Sequence, residues 1–180
     1  DGDDMIDAKT IAKYFLSKDP NRKLFNNNVV VKNNRKSYEG NIRLNKYLFL
    51  SQVVYLAKYE TKLISDNFVA YENGPVVQNI VSDYPLISSR CENVELDESI
   101  KIFLDKIYYA LENATYDELV EITHEDPEWL RLSNDTYNAP IMNLEKNIET
   151  YKQRYKGLIE ALKIWLKMIY LKLGKFYGWK

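Results

Sequence analysis

The sequence predicts a mainly α protein of the α+β class: a compact helical domain with a small β element and a long C-terminal helix. Three observations lead there. Apolar residues make up 46% and charged residues 28% of 180 residues, enough for one real core in a chain of single-domain size. Apolar positions recur at helical spacing along most of the chain. Strand-like runs are few and short, Val29-Val30-Val31 and Phe68–Tyr71.

The first helix is expected to start at Asp7, a good N-cap, with Ile6 stapling across to Ile11. Ala8, Ile11, Ala12, Phe15 and Leu16 form its inner face, and Asp19-Pro20 ends it. Asparagines at 21, 26, 27, 28, 33, 34 and 41 mark loops, and Asn33-Asn34 can turn the valine run into a hairpin with Lys36–Tyr38. Residues 42–58 are apolar nearly all round, which predicts a helix running through the core. Phe68–Tyr71 then leads into Asn73-Gly74-Pro75, read as a strand-to-helix turn. Gly74 supplies a positive φ and Pro75 the first helical position, and the helix stops at Tyr84-Pro85. The β element combines parts of 29–38 and 66–72. Asp97 opens a helix whose face is Ile100, Phe103, Leu104, Ile107, Tyr108 and Leu111. Thr115 with Glu118 is a capping box for a helix through Ile122. Asp126-Pro127, N-cap then N1, starts a short helix carrying Trp129 and Leu130. The expected hub is Leu44, Leu48, Val54, Phe103, Ile107 and Trp129.

Leu144, Ile148, Tyr151, Tyr155, Leu158, Leu162, Trp165 and Ile169 follow an unbroken 4-3 spacing, a heptad seam. It predicts one helix over 144–173, capped by Asn143 and ended by Gly174, with a bend favoured at Gly157. Such a helix is about 45 Å long at about 1.5 Å per residue. Two readings stay open. Both halves fold back on the body, or the half from Leu158 onward, with Trp165, Tyr170, Phe176, Tyr177 and Trp179, docks a partner helix, a second copy of the chain or another protein.

Charge divides the chain. Residues 151–180 carry eight basic groups and one acidic, net +7, whereas the other 150 residues carry 17 basic and 25 acidic, net −8. Nucleic acid or an anionic membrane surface is therefore a partner only through residues 152–180. The longest charge-free run, Tyr47–Ala57, is too short to span a bilayer, and no secretory signal opens the chain. One cysteine and one histidine leave neither an internal disulfide nor a zinc cluster, so a reducing cytoplasm is expected, with no metal and no cofactor. No glycine-rich phosphate motif occurs. Cys91 reads as a bystander in a polar loop. Thr123-His124-Glu125-Asp126 is the one cluster that looks chemical: either His124 is a general base oriented by a carboxylate, the centre of a hydrolase, or the segment is an interhelix joint.

Three blocks carry a resemblance. They are Leu44-Asn45-Lys46-Tyr47-Leu48-Phe49, the run Phe68–Val77 containing Tyr71-Glu72-Asn73-Gly74-Pro75, and Glu118–His124 continuing through Asp126-Pro127-Glu128-Trp129. In order and spacing they resemble the SocA-like, or Panacea, antitoxin domain, also found in phage-associated GepA-type proteins. Ile141 is similar to the family's later isoleucine. Tyr71 stands where the family usually has tryptophan, and Glu128 separates Pro127 from Trp129. The match covers about 42–155, which implies a Panacea-like domain over 5–155 and a basic amphipathic helical extension over 156–180. The resemblance further implies a non-enzymatic antitoxin that binds and neutralises a cognate protein toxin, with delivery to a protease as one route. Leu44, Gly74, Pro75, Thr123, Asp126 and Trp129 are expected to be structural, with the Trp129 indole N–H needing an acceptor. Tyr71, His124, Trp165, Tyr170, Phe176 and Trp179 are the candidate partner-binding residues.

Overall fold

A computed structural model describes residues 5–32 and 34–161. In chain order it contains α1 (Ala8–Ser17), β1 (Val29–Lys32), β2 (Arg35–Tyr38), α2 (Glu39–Tyr59), β3 (Val69–Tyr71), β4 (Gly74–Val76), α3 (Gln78–Ser88), α4 (Glu98–Leu111), α5 (Tyr116–His124) and α6 (Pro127–Leu132). Two 3-10 segments, Ser133–Asn138 and Leu144–Asn147, then precede α7 (Ile148–Arg154). The mainly α architecture with small β elements is therefore as the sequence predicts.

Helix α2 is the axis of the molecule. α1, α3, α4, α5 and α7 all pack on it, and Leu44, Leu48 and Val54 are fully buried. Its polar residues are enclosed too, and each one described next has a partner. Gln52 accepts from the Leu63 and Ile64 amides and donates to the Ile64 carbonyl, clamping the chain that follows the helix. Asn45 Oδ1 accepts from Val77 N at 2.9 Å, tying α2 to the end of the second hairpin. Buried polar groups that are fully bonded specify one arrangement of the elements they join.

The caps behave as expected. Asp7 accepts from Thr10 N, Thr115 from Glu118 N, and Asp126 from the Glu128 and Trp129 amides. The β1–β2 hairpin forms, pairing Lys32 with Arg35 and Val29 with Tyr38, with Asn34 at φ +61° in the link.

Four expectations are corrected. First, the two β regions do not combine: β1 pairs only with β2, and β3 pairs with β4. Second, Gly74 and Pro75 do not start a helix. They lie in β4, opposite Tyr71 and Ala70, so Glu72-Asn73 turns a tight hairpin and the helix starts at Gln78. Gly74 does take the positive φ, +109°. Third, α3 runs through Pro85 to Ser88. The ring removes the N–H that would bond the Val81 carbonyl. Asn41 Nδ2 on α2 donates to that carbonyl instead, at 3.0 Å, so tertiary structure replaces the missing helical bond. Fourth, 144–173 is not one straight helix. It opens as a 3-10 segment whose Asn143 side chain makes no capping bond, and Tyr155 leaves helical geometry at φ −101°, ψ +13°. The break is therefore two residues before Gly157, and residues 156–161 are helical again. Leu144, Tyr151 and Tyr155 are buried and Leu158 and Ile159 pack on the core, so this part folds back on the body. Tyr155 is buried beside Tyr151, with ring centroids 6.2 Å apart. The rest of the seam, 162–173, lies outside the described residues.

Candidate functional site

The three motif blocks meet at one place, the turn between β3 and β4. Trp129, early in α6, donates its indole N–H to the Tyr71 carbonyl at 2.8 Å, which supplies the acceptor the sequence demanded. Trp129 is half-buried, packed against the core rather than at its hub; that expectation is corrected, whereas Leu44, Leu48, Val54, Phe103 and Ile107 are buried as expected. The flat face of Trp129 is covered by His124, stacked with ring centroids 4.2 Å apart and planes 12° from parallel.

Gly74 is irreplaceable here for two reasons. Its φ of +109° is one that L side chains rarely adopt, and a Cβ would sit 2.3 Å from Lys46 Nζ and 3.0 Å from Thr123 Oγ1. Thr123 turns its hydroxyl back to the Leu119 and Val120 carbonyls, so it needs nothing from the hairpin and can press against it. Asp126 is a joint. One oxygen caps α6 and the other accepts from the Tyr151 hydroxyl at 2.8 Å, linking α6 to α7. Burial raises its pKa, and these hydrogen bonds oppose the rise.

Lys46 is the residue that sequence reasoning missed. It sits in the first block, inside an otherwise apolar helix, and its side chain is wholly buried with the ammonium donating to the Asn73 carbonyl. Burial lowers its pKa to about 7, with Lys32 adding to the effect. The available signal was a lysine on the buried side of a helix that has no exposed face. His124 lies beside it and is also held toward its neutral form, first by burial, then by Lys46 and Lys32; the Glu72 and Asn73 backbone partly offsets this. Two basic groups, each pushed toward its neutral form, thus share one enclosed corner.

The hydrolase arrangement is not assembled. Both Asp126 oxygens are occupied by backbone amides and Tyr151, Glu125 is exposed, and the ring facing His124 is Trp129 rather than a carboxylate. Asp126 joins α6 to α7 through its cap and its bond from Tyr151. Among the described residues, no group of three His, Cys, Asp or Glu side chains is placed to hold a metal ion, and no helix is long and apolar enough to cross a membrane. Cys91 is an exposed thiol in the loop between α3 and α4.

The other predicted residues fall as follows. Leu44 and Pro75 are buried parts of the frame. Tyr71 is half-buried at the end of β3 and lines a cavity of about 280 Å³ between β2, α2, the β3–β4 turn and α3. Ile141 pairs with Val69 as a bridge along the free edge of the second hairpin. Trp165, Tyr170, Phe176 and Trp179 lie outside the described residues.

The family model described as antitoxin SocA-like, Panacea domain matches residues 44–130. That span contains all three motif blocks and runs from α2 through most of α6. Neither the curated proteins nor the solved structures contain a match to this chain.

Proposed function

Residues 44–130 belong to the SocA-like Panacea family, and from that premise we propose that the protein is an antitoxin that binds and neutralises a cognate protein toxin without catalysis. The observation that carries this reading is the convergence of the family's blocks. The matched span builds a knot of hairpin, Lys46, Thr123, His124 and Trp129, in which Trp129 bonds the hairpin backbone, His124 stacks on Trp129 and Thr123 bonds its own helix. A scaffold of that kind suits binding better than turnover. Tyr71 and His124 are half-buried at its surface, and we assign them to the partner-facing side. Trp165, Tyr170, Phe176 and Trp179 are assigned to the same role on the basic tail. Delivery of the bound toxin to a protease, and self-association, belong to the same proposal as finer steps.

The test uses the reading frame beside this gene. A small neighbouring frame is expressed alone and together with this protein. Growth arrest that this protein relieves, with the two proteins recovered as one complex, is the expected result. Arrest that persists despite soluble, folded protein overturns the antitoxin reading. Exchanging His124 for Gln then separates binding from catalysis, since neutralisation should survive the loss of the imidazole.

A further inference from the structure

We propose that the cavity between β2, α2, the β3–β4 turn and α3 is a binding site for a carboxylate, received by Lys46 and Lys36. The cavity holds about 280 Å³, the small end of the range for ligand sites and right for a group of amino-acid size. Two lysines line it and no Asp or Glu does. That inverts the sign of the body, where residues 1–150 carry net charge −8. Lys32 adds to the positive field at Lys46.

Lys46 is the second, independent observation. Lys46 borders the cavity but is itself buried, so a ligand meets its ammonium only as the side chain turns outward, and among the described residues its one hydrogen-bond acceptor is the Asn73 carbonyl. An ammonium has three N–H donors, and a buried one with a single neutral acceptor lacks a counter-charge. Burial has accordingly moved it toward the neutral amine; an entering carboxylate supplies the missing charge and restores the ammonium. Asn73 Oδ1 is also buried and has no hydrogen-bond partner, an acceptor awaiting an N–H. The remaining amides are committed elsewhere: Asn41 donates to Val81 O, and Asn45 accepts from Val77 N. Val76, Val81 and Pro85 make the far wall apolar. Lysine point charges facing an apolar wall suit a small anion with a short carbon body. The lining contains no arginine fork, and Lys46 is already moved toward its neutral form, so a monoanion matches the available charge better than a dianionic phosphate.

The carboxylate can come from a free small acid or from the C-terminal residue of a peptide chain, whose amide N–H also satisfies Asn73. The proposal stands apart from the antitoxin reading, because its probes are small molecules and need no toxin. The full chain, labelled with nitrogen-15, is titrated at pH 6.5 with acetate, N-acetylglycine and uncharged N-acetylglycinamide. A carboxylate should saturate the shifts of the Tyr71, Asn73 and Gly74 amides with a Kd of about 1–30 mM, the range for so few heavy atoms. The uncharged amide should not. N-acetylglycine binding more tightly than acetate assigns the site to a peptide end; equal affinity assigns it to a free acid. Raising the pH to 8.5 should weaken binding roughly tenfold or more as Lys46 loses its proton. Lys32 and Lys36 also face this corner, as does His124, whose pKa is lowered first by burial and then by the lysines. Lys46→Met should abolish the shifts. The exposed-site variant Lys36→Glu, which leaves the core untouched, should weaken them severalfold. No saturable shift with either acid, or equal shifts from N-acetylglycinamide or in folded Lys46→Met, overturns the proposal.

Discussion

At the scale of single residues, the buried pair of Gly74 and Lys46 sets the most testable energetics. Gly74→Ala combines a φ of +109° with a Cβ 2.3 Å from Lys46 Nζ. Two penalties at one site should destabilise the protein by about 2–4 kcal/mol, read as a lower urea midpoint at unchanged slope. An unaltered midpoint would show that the hairpin can move away from α2. Lys46 makes a pH prediction whose sign follows from proton counting. Its folded pKa of about 7 lies below the ordinary value of 10.5, so between these limits the unfolded chain holds the extra proton. Stability therefore rises with pH above about 7. Lys106, lowered to about 8 by burial and Lys58, acts in the same direction. Several buried tyrosines with raised pKa reverse the trend once unfolded tyrosine ionises near pH 10. Chemical denaturation between pH 7 and 9.5 should show the rise, on the order of a few kcal/mol. Lys46→Met should flatten it relative to wild type and be the more stable protein at pH 7. A wild-type slope that survives in Lys46→Met would assign the effect to other groups.

At the scale of elements, α3 shows how a sequence rule is overridden. Pro85 ends a helix when nothing else can satisfy the carbonyl four residues back, and here Asn41 does so from α2. Asn41→Ala should cost about 1–2 kcal/mol, because it strands the Val81 carbonyl. Asn41 also accepts from Asn45, so the informative measurement is a double-mutant cycle. In the Pro85→Ala background α3 regains its own N–H, and the cost of Asn41→Ala should shrink by roughly 0.5–1 kcal/mol. A coupling near zero would mean that the proline is tolerated for another reason. The α6–α7 joint makes a parallel case. Asp126→Ala removes an N-cap and strands the buried Tyr151 hydroxyl, and should cost about 2–4 kcal/mol in the same denaturation assay. Asp126→Asn keeps an acceptor for the cap and should cost less.

At the scale of the whole molecule, the question is where the body ends. The core cluster draws on α1 at one end and on Tyr151, Tyr155, Leu158 and Ile159 at the other. A chain stopped after Asn147 loses Tyr151, which is fully buried and bonded to Asp126, and should fail to unfold cooperatively. A chain stopped after Ala161 keeps every core residue named here and should melt cooperatively. If that second chain also loses its partner in the co-expression assay, the basic tail is the docking element. If it aggregates, residues 162–180 complete the core.

The sequence by itself determined whatever depends on neighbours along the chain. Caps at Asp7, Thr115 and Asp126, the β1–β2 hairpin, the all-round burial of α2, the positive φ of Gly74 and the family blocks could all be read locally, because each is a relation among a few consecutive residues. Tertiary structure decided whatever depends on a distant partner. Pro75 has the fixed φ of a helix start and equally of an edge strand, and pairing with Ala70 chose the strand. Pro85 stayed helical because Asn41, 44 residues earlier, completed its turn. The heptad seam is interrupted at Tyr155, which leaves helical geometry, while Leu144, Tyr151 and Tyr155 stay buried. Lys46 looked like one charge in a long apolar run. Only the fold enclosed it behind Gly74, Thr123 and His124, and enclosure rather than residue type gives that lysine its chemistry.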